Sequence, residues 1–127
     1  MIPRRRSEMW IFTKHGFISI VQHNSIADHF QVKSREPGPL KKLWPEHEIE
    51  VIEWADYRYR VTIPKNEVVP VLVGAIEDIL YTSFKNECER DSKYHSVLTR
   101  IWSLMYNYQK NVLASPLARG RIWFHED

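Results

Sequence analysis

Only one cysteine, Cys88, stands in the 127 residues, so no disulfide can form within the chain, and a reducing compartment is the expected setting. Glycine is nearly as scarce. There are four, and none belongs to a run that would cradle a phosphate or a dinucleotide. No apolar run approaches the ~18 residues that a membrane span needs. The basic opening Met1-Ile2-Pro3-Arg4-Arg5-Arg6 leads into no apolar segment, so a signal peptide is not expected and a cytoplasmic setting is. A formal charge of +2 is too small to imply polyanion binding by itself, and any basic character must come from local clustering. No nucleophile elbow, paired metal motif or internal repeat is present. These absences remove the usual signatures of catalysis and of a bound cofactor, and none is expected.

What is present is the material of a globular domain. Hydrophobic residues make up 43% and rings 13%, enough for a ring-rich core without staples. Strict alternation marks strands with one buried face. Met9 to Gln22 reads as two strands around a turn at Lys14-His15-Gly16, with Trp10 and Phe12 on one face and Met9, Ile11 and Thr13 on the other. Phe30 and Val32 point inward in a third strand, and Gln31, Lys33 and Arg35 outward. A short helix carries Leu40, Leu43 and Trp44, and a fourth strand is expected over residues 49–54. The fifth, Asp56 to Ile63, places Tyr57, Tyr59, Val61 and Ile63 on one side and Arg58, Arg60 and Thr62 on the other.

Helical spacing then takes over. Val68, Val69, Leu72, Ile76, Ile79 and Leu80 form one stripe, behind an expected N-cap at Asn66. A short helical segment surrounds Phe84 and Cys88. From Ser92 to about Lys110, Tyr94, Leu98, Ile101, Trp102, Met105 and Tyr108 recur at intervals of three and four. Strands followed by helices predict an α+β fold. Its sheet is mainly antiparallel and of about five strands, with two long helices packed on one face. Residues 1–8 read as a flexible basic arm, 9–110 as a single domain and 111–127 as a tail.

The candidate site is a basic sheet face. If the third and fifth strands are neighbours, Lys33, Arg35, Arg58 and Arg60 form one patch. Guanidinium groups grip phosphate in bidentate fashion, and nearby rings stack bases. The available rings are Trp10, Phe17 and Tyr57, according to the face each strand presents. The competing reading is a solvated face, with Glu50 or Glu53 paired to the arginines. His15, His23, Asp28 and His29 cluster at spacings that match no zinc motif, and His47 is expected to be exposed. Asp56, Lys85, Glu87, Glu89, Asp91 and His95 are polar candidates for acid-base work. Asp56 reads better as a turn former, and Asp91 as a helix cap.

The motifs Met9-Trp10-Ile11-Phe12-Thr13, Gly16-Phe17, Asp56-Tyr57-Arg58-Tyr59-Arg60-Val61, Phe84-Lys85 and Tyr94-His95 through Trp102-Met105 occur in that order. Together they resemble a family of small uncharacterised bacterial proteins. The resemblance spans roughly residues 9–109 and implies no catalytic or binding residue. Strands followed by helices are also similar, in architecture alone, to the Whirly type of single-stranded-DNA-binding fold.

The function expected is therefore non-enzymatic: a bacterial binding or regulatory protein that meets nucleic acid or another phosphate-bearing ligand through the basic face. One alternative is a protein-interaction module or homodimer using the ring-rich last helix and the tail. The other is a small enzyme. No membrane partner is expected.

Overall fold

A computed structural model describes residues 8–114. The arm expected over 1–8 and the tail expected over 111–127 lie outside the described residues, apart from Glu8 and residues 111–114. The chain divides into two compact units, Met1–Leu80 and Tyr81–Asp127.

The first unit holds a five-stranded antiparallel sheet: β1 (Glu8–Thr13), β2 (Gly16–Gln22), β3 (His29–Ser34), β4 (Glu50–Val51) and β5 (Tyr59–Pro64), in the order β1-β2-β3-β5-β4. Two helices accompany it, α1 (Gly38–Leu43) and α2 (Lys65–Glu77). The fold is α+β, as the alternation of strands and then helices foretold.

Alternation decides which face is buried. Ile18, Ile20, Val32, Val61 and Ile63 lie on one side of β2, β3 and β5, and pack with Leu40 and Trp44 of the α1 region and Val68 of α2. Ile11, Phe30 and Tyr59 pack against the same cluster. Both helices of this unit therefore sit on that side. The indole of Trp44 satisfies its N–H by donating to the carbonyl of Glu67 at 3.3 Å, as a buried Trp must.

The β1–β2 turn explains one of the scarce glycines. Thr13 pairs with Gly16 across a two-residue Lys14-His15 loop, and Gly16 has φ of +135°. A side chain there would also run into the ring of Pro39, which precedes Leu40 in α1. Only glycine meets both demands. The hydroxyl of Thr13 donates to the carbonyl of Gly16 at 2.8 Å and accepts from the amide of His15 at 3.1 Å, fixing the turn.

Two elements differ from their sequence reading. The fourth strand shrinks to Glu50–Val51. Beyond it the amide of Ala55 donates to the carbonyl of Ile52, and that of Tyr57 to the carboxylate of Asp56 at 2.8 Å. Local turn bonds thus outcompete the sheet ladder, and β5 begins only at Tyr59. Helix α2 starts at Lys65, ahead of the expected cap at Asn66, with Pro64 in the capping position. The amide of Lys65 is satisfied instead by the carbonyl of Asp28 at 2.9 Å.

The second unit holds α3 (Phe84–Glu87) and the 23-residue α4 (Ser92–Ala114), which runs four residues past Lys110. Ser83 caps α3 through the amide of Asn86. Asp91 caps α4 through the amide of Tyr94 at 3.0 Å. Cys88, between the two helices, is buried. No helix among the described residues is long and apolar enough to cross a membrane.

Candidate nucleic-acid interface

The side of the sheet away from the core cluster is where the basic residues gather. In register, Trp10 of β1 faces Ser19 of β2, Ser19 faces Lys33 of β3, and Lys33 faces Arg60 of β5. These four lie on one row and one face, because cross-strand partners point to the same side. The third and fifth strands are indeed neighbours, which was the condition for the patch. From β1 to β5 the row crosses three inter-strand gaps, about 14 Å.

Tyr57 organises the charged end. It does not continue the alternation of β5, because the bend at Asp56 turns it away from the core side on which Tyr59 packs. Its ring lies 6.3 Å from Phe17. The Nζ of Lys33 stands 5.4 Å from the ring centroid, and the guanidinium carbon of Arg35 4.5 Å. The carbonyl of Tyr57 accepts from Nη2 of Arg60 at 3.1 Å. Arg35 is further held by donating from Nη1 to the carbonyl of Asp56 at 3.0 Å. Lys33, Arg35 and Arg60 therefore meet on one residue.

Arg58 stands just ahead of β5, exposed, and its side chain makes no bond to the group. The Nε of Arg60 is buried without a hydrogen-bond partner among the described residues.

Aromatic rings continue the row. Phe17 stacks on Phe12 with centroids 4.6 Å apart and meets Trp10 edge-on at 6.0 Å. All three rings that the sequence offered, Trp10, Phe17 and Tyr57, thus share the face with the cations. Phe12 joins them, and its alternation with Trp10 was the signal for it. The rings are not equally open: Tyr57 is 5% exposed beneath its cations, whereas Trp10 is 61% exposed. Trp10 is the ring free to stack.

The acids on this face form no ion pair with the patch among the described residues. Glu50 is in register with Arg60, yet neither Glu50 nor Glu53 forms an ion pair with the basic residues. Glu8, on the same face, accepts from the hydroxyl of Ser19 at 2.6 Å. Among the described residues the one ion pair is His47 with Glu67 at 3.3 Å, formed when His47 is protonated. That contact corrects the expectation that His47 is simply exposed; it is partly covered.

Three of the six polar candidates for catalysis take structural places. Asp56 forms its turn, Asp91 caps α4, and Lys85 places Nζ 5.6 Å from the ring of Trp102. Comparison with protein-family models, with curated proteins and with solved structures finds no match to this chain. The reading of the site rests on its geometry.

Proposed function

We propose that this protein binds single-stranded nucleic acid across the Trp10–Arg60 row of its sheet. The observation that supports the reading is that one open ring, Trp10, shares a face with cations that form no ion pair among the described residues. Lys33, Arg35 and Arg60 converge on Tyr57, with Phe17 and Trp10 on the same face and no carboxylate in ion-pairing reach among the described residues. Glu8 and Glu50 share this face, but neither forms an ion pair with the three cations among the described residues.

Each part has a role in such binding. Trp10 offers a base a stacking surface, which tolerates any sequence because every base has a π-face. Arg35 spends one donor on Asp56 and keeps the rest of its fork for a phosphate. Lys33 supplies a point charge beside it, and exposed Arg58 a further one. Arg60 is committed to the Tyr57 carbonyl and positions the loop. Duplex hides its base faces, so single strands suit an open ring better.

The test is a fluorescence-anisotropy titration of labelled single-stranded and duplex oligonucleotides at two salt concentrations. Phosphate contacts from Lys33, Arg35 and Arg58 give log affinity against log salt a slope of about −2 for a single strand. The single strand is expected to bind more tightly than the duplex. Affinity that ignores salt, or no binding at low salt, overturns the reading.

A further inference from the structure

Cations hold a strand by its phosphates and an open ring holds it by the flat of a base, and neither contact tells one base from another. The next row of the same face carries a different chemistry. Val21 of β2 pairs with Gln31 of β3, and Gln31 pairs with Thr62 of β5. Gln31 stands two residues from Lys33, and Thr62 two from Arg60. Period-2 alternation therefore puts both on the face of the cations, about 7 Å along their strands. We propose that Gln31, with Thr62 beside it, reads one base of the bound strand and selects adenine. The inference rests on the single-strand reading above and gives that site its specificity.

Two observations single out this pair. Both side chains are half-buried, and neither makes a hydrogen bond among the described residues. Their polar atoms nevertheless reach the surface, because Nε of Arg60 is the one buried side-chain nitrogen or oxygen without a partner among the described residues. The Gln31 carboxamide and the Thr62 hydroxyl thus keep their hydrogen-bonding capacity for a ligand. Their neighbours do not: Ser19 donates to Glu8, Arg35 to the carbonyl of Asp56 and Arg60 to that of Tyr57.

Position suits a second base. Cross-strand partners stand about 5 Å apart, so the amide and the hydroxyl meet one base edge together. Val21, on the β2 side of Gln31, brings no competing donor or acceptor. From Trp10 to Gln31 the face spans two inter-strand gaps and one two-residue step, about 12 Å. The base on Trp10 and the base at Gln31 are therefore different residues of the strand, with Lys33 placed for the phosphates that join them.

The carboxamide sets the choice of base. It presents a donor and an acceptor side by side, and the N6 amino group and N7 of adenine answer both in bidentate fashion. A single strand also exposes the Watson–Crick edge, where the adenine amino group and N1 answer equally well. Adenine thus matches the amide on both edges. Guanine offers two acceptors, N7 and O6, on the first edge and leaves the amide oxygen unpaired, and cytosine and thymine offer one polar group there.

The experiment is fluorescence anisotropy on the full chain at low salt. The probes are an eight-residue thymidine strand and the same strand with one central position changed to adenine, cytosine or guanine. Expected is about fivefold tighter binding of the adenine strand, the lower end of what one bidentate pair discriminates. Gln31→Leu is expected to erase that preference while the thymidine strand binds within about twofold of wild type, and Gln31→Ala serves if the leucine lowers solubility. Thr62→Val should reduce the preference in part. Arg35→Ala should weaken all four strands alike and leave the preference standing. Equal binding of the four strands overturns this inference and leaves the single-strand reading intact. A preference for another base, or an adenine preference that survives loss of the Gln31 amide, overturns it too. If no strand binds, the single-strand reading fails and this inference with it.

Discussion

Lys33 and Arg60 face each other across β3 and β5, two cations in one cross-strand pair. Like charges so placed repel, and neither forms an ion pair among the described residues, although Glu50 of β4 stands in register with Arg60. Tyr57 takes up both, its ring near Lys33 and its carbonyl bonded to Arg60. A cross-strand arrangement that costs stability is thus kept in place by one residue in a bend.

Tyr57 is accordingly the residue on which the charged end depends. Tyr57→Ala removes a buried ring and two cation contacts, and is expected to cost roughly 2–4 kcal/mol in urea unfolding. Tyr57→Phe keeps ring and contacts, and its stability should stay within about 0.5 kcal/mol of wild type.

Replacing one of the facing cations should separate stability from binding. Lys33→Gln relieves the repulsion and is expected to raise stability by ~0.2–1 kcal/mol at low salt, with the gain shrinking as salt screens the pair. The same change should weaken oligonucleotide binding. Loss of stability in Lys33→Gln would mean that Lys33 is there to hold the fold.

Gly16→Ala meets two penalties together, a positive φ and the Pro39 ring. The expected loss is on the order of 2–4 kcal/mol, read as a lowered thermal midpoint. Gly38→Ala serves as the comparison, because a side chain there meets nothing, and its effect should be small.

Cys88 supplies a prediction in pH. Burial, and then the nearby Glu87 and Asp91 carboxylates, push its thiol above the ordinary 9.0. The folded chain therefore holds the proton at a pH where the unfolded chain has begun to release it. This contribution to stability is full below 9.0 and declines as pH rises through the folded value. Cys88→Ala should flatten that alkaline part of the stability curve. In the native protein a thiol reagent at pH 8 should react slowly, and rapidly once urea unfolds the chain.

Much of the fold was legible because the β1 and β3 segments alternate, the β2 segment is apolar enough for a central strand, and Gly16 marks the first turn. Val32 read as inward, and Val61 and Ile63 as sharing one side, from alternation alone, and they lie in the core. The β4–β5 connection was not legible. Residues 49–54 look like a strand by propensity, but turn bonds at Ile52 and Asp56 end it at Val51 and swing Tyr57 off the Tyr59 side. The patch hinged on which strands are neighbours. The pairing of β3 with β5 joins residues 27 positions apart, Lys33 and Arg60, and nothing local in the chain announces it. His47 shows the same limit, since its contact with Glu67 spans two elements.

The most direct test of the basic face is to map where a single strand lands. A short unlabelled oligonucleotide is titrated into ¹⁵N-labelled protein at low salt, and amide and indole shifts are followed. Binding across the row moves the Trp10 indole and the amides of residues 10–19, 31–35 and 57–60, and Trp10→Ala with Arg35→Ala abolishes those shifts. Shifts confined to α1 and α2 on the opposite side, or none at all, would contradict binding at this face.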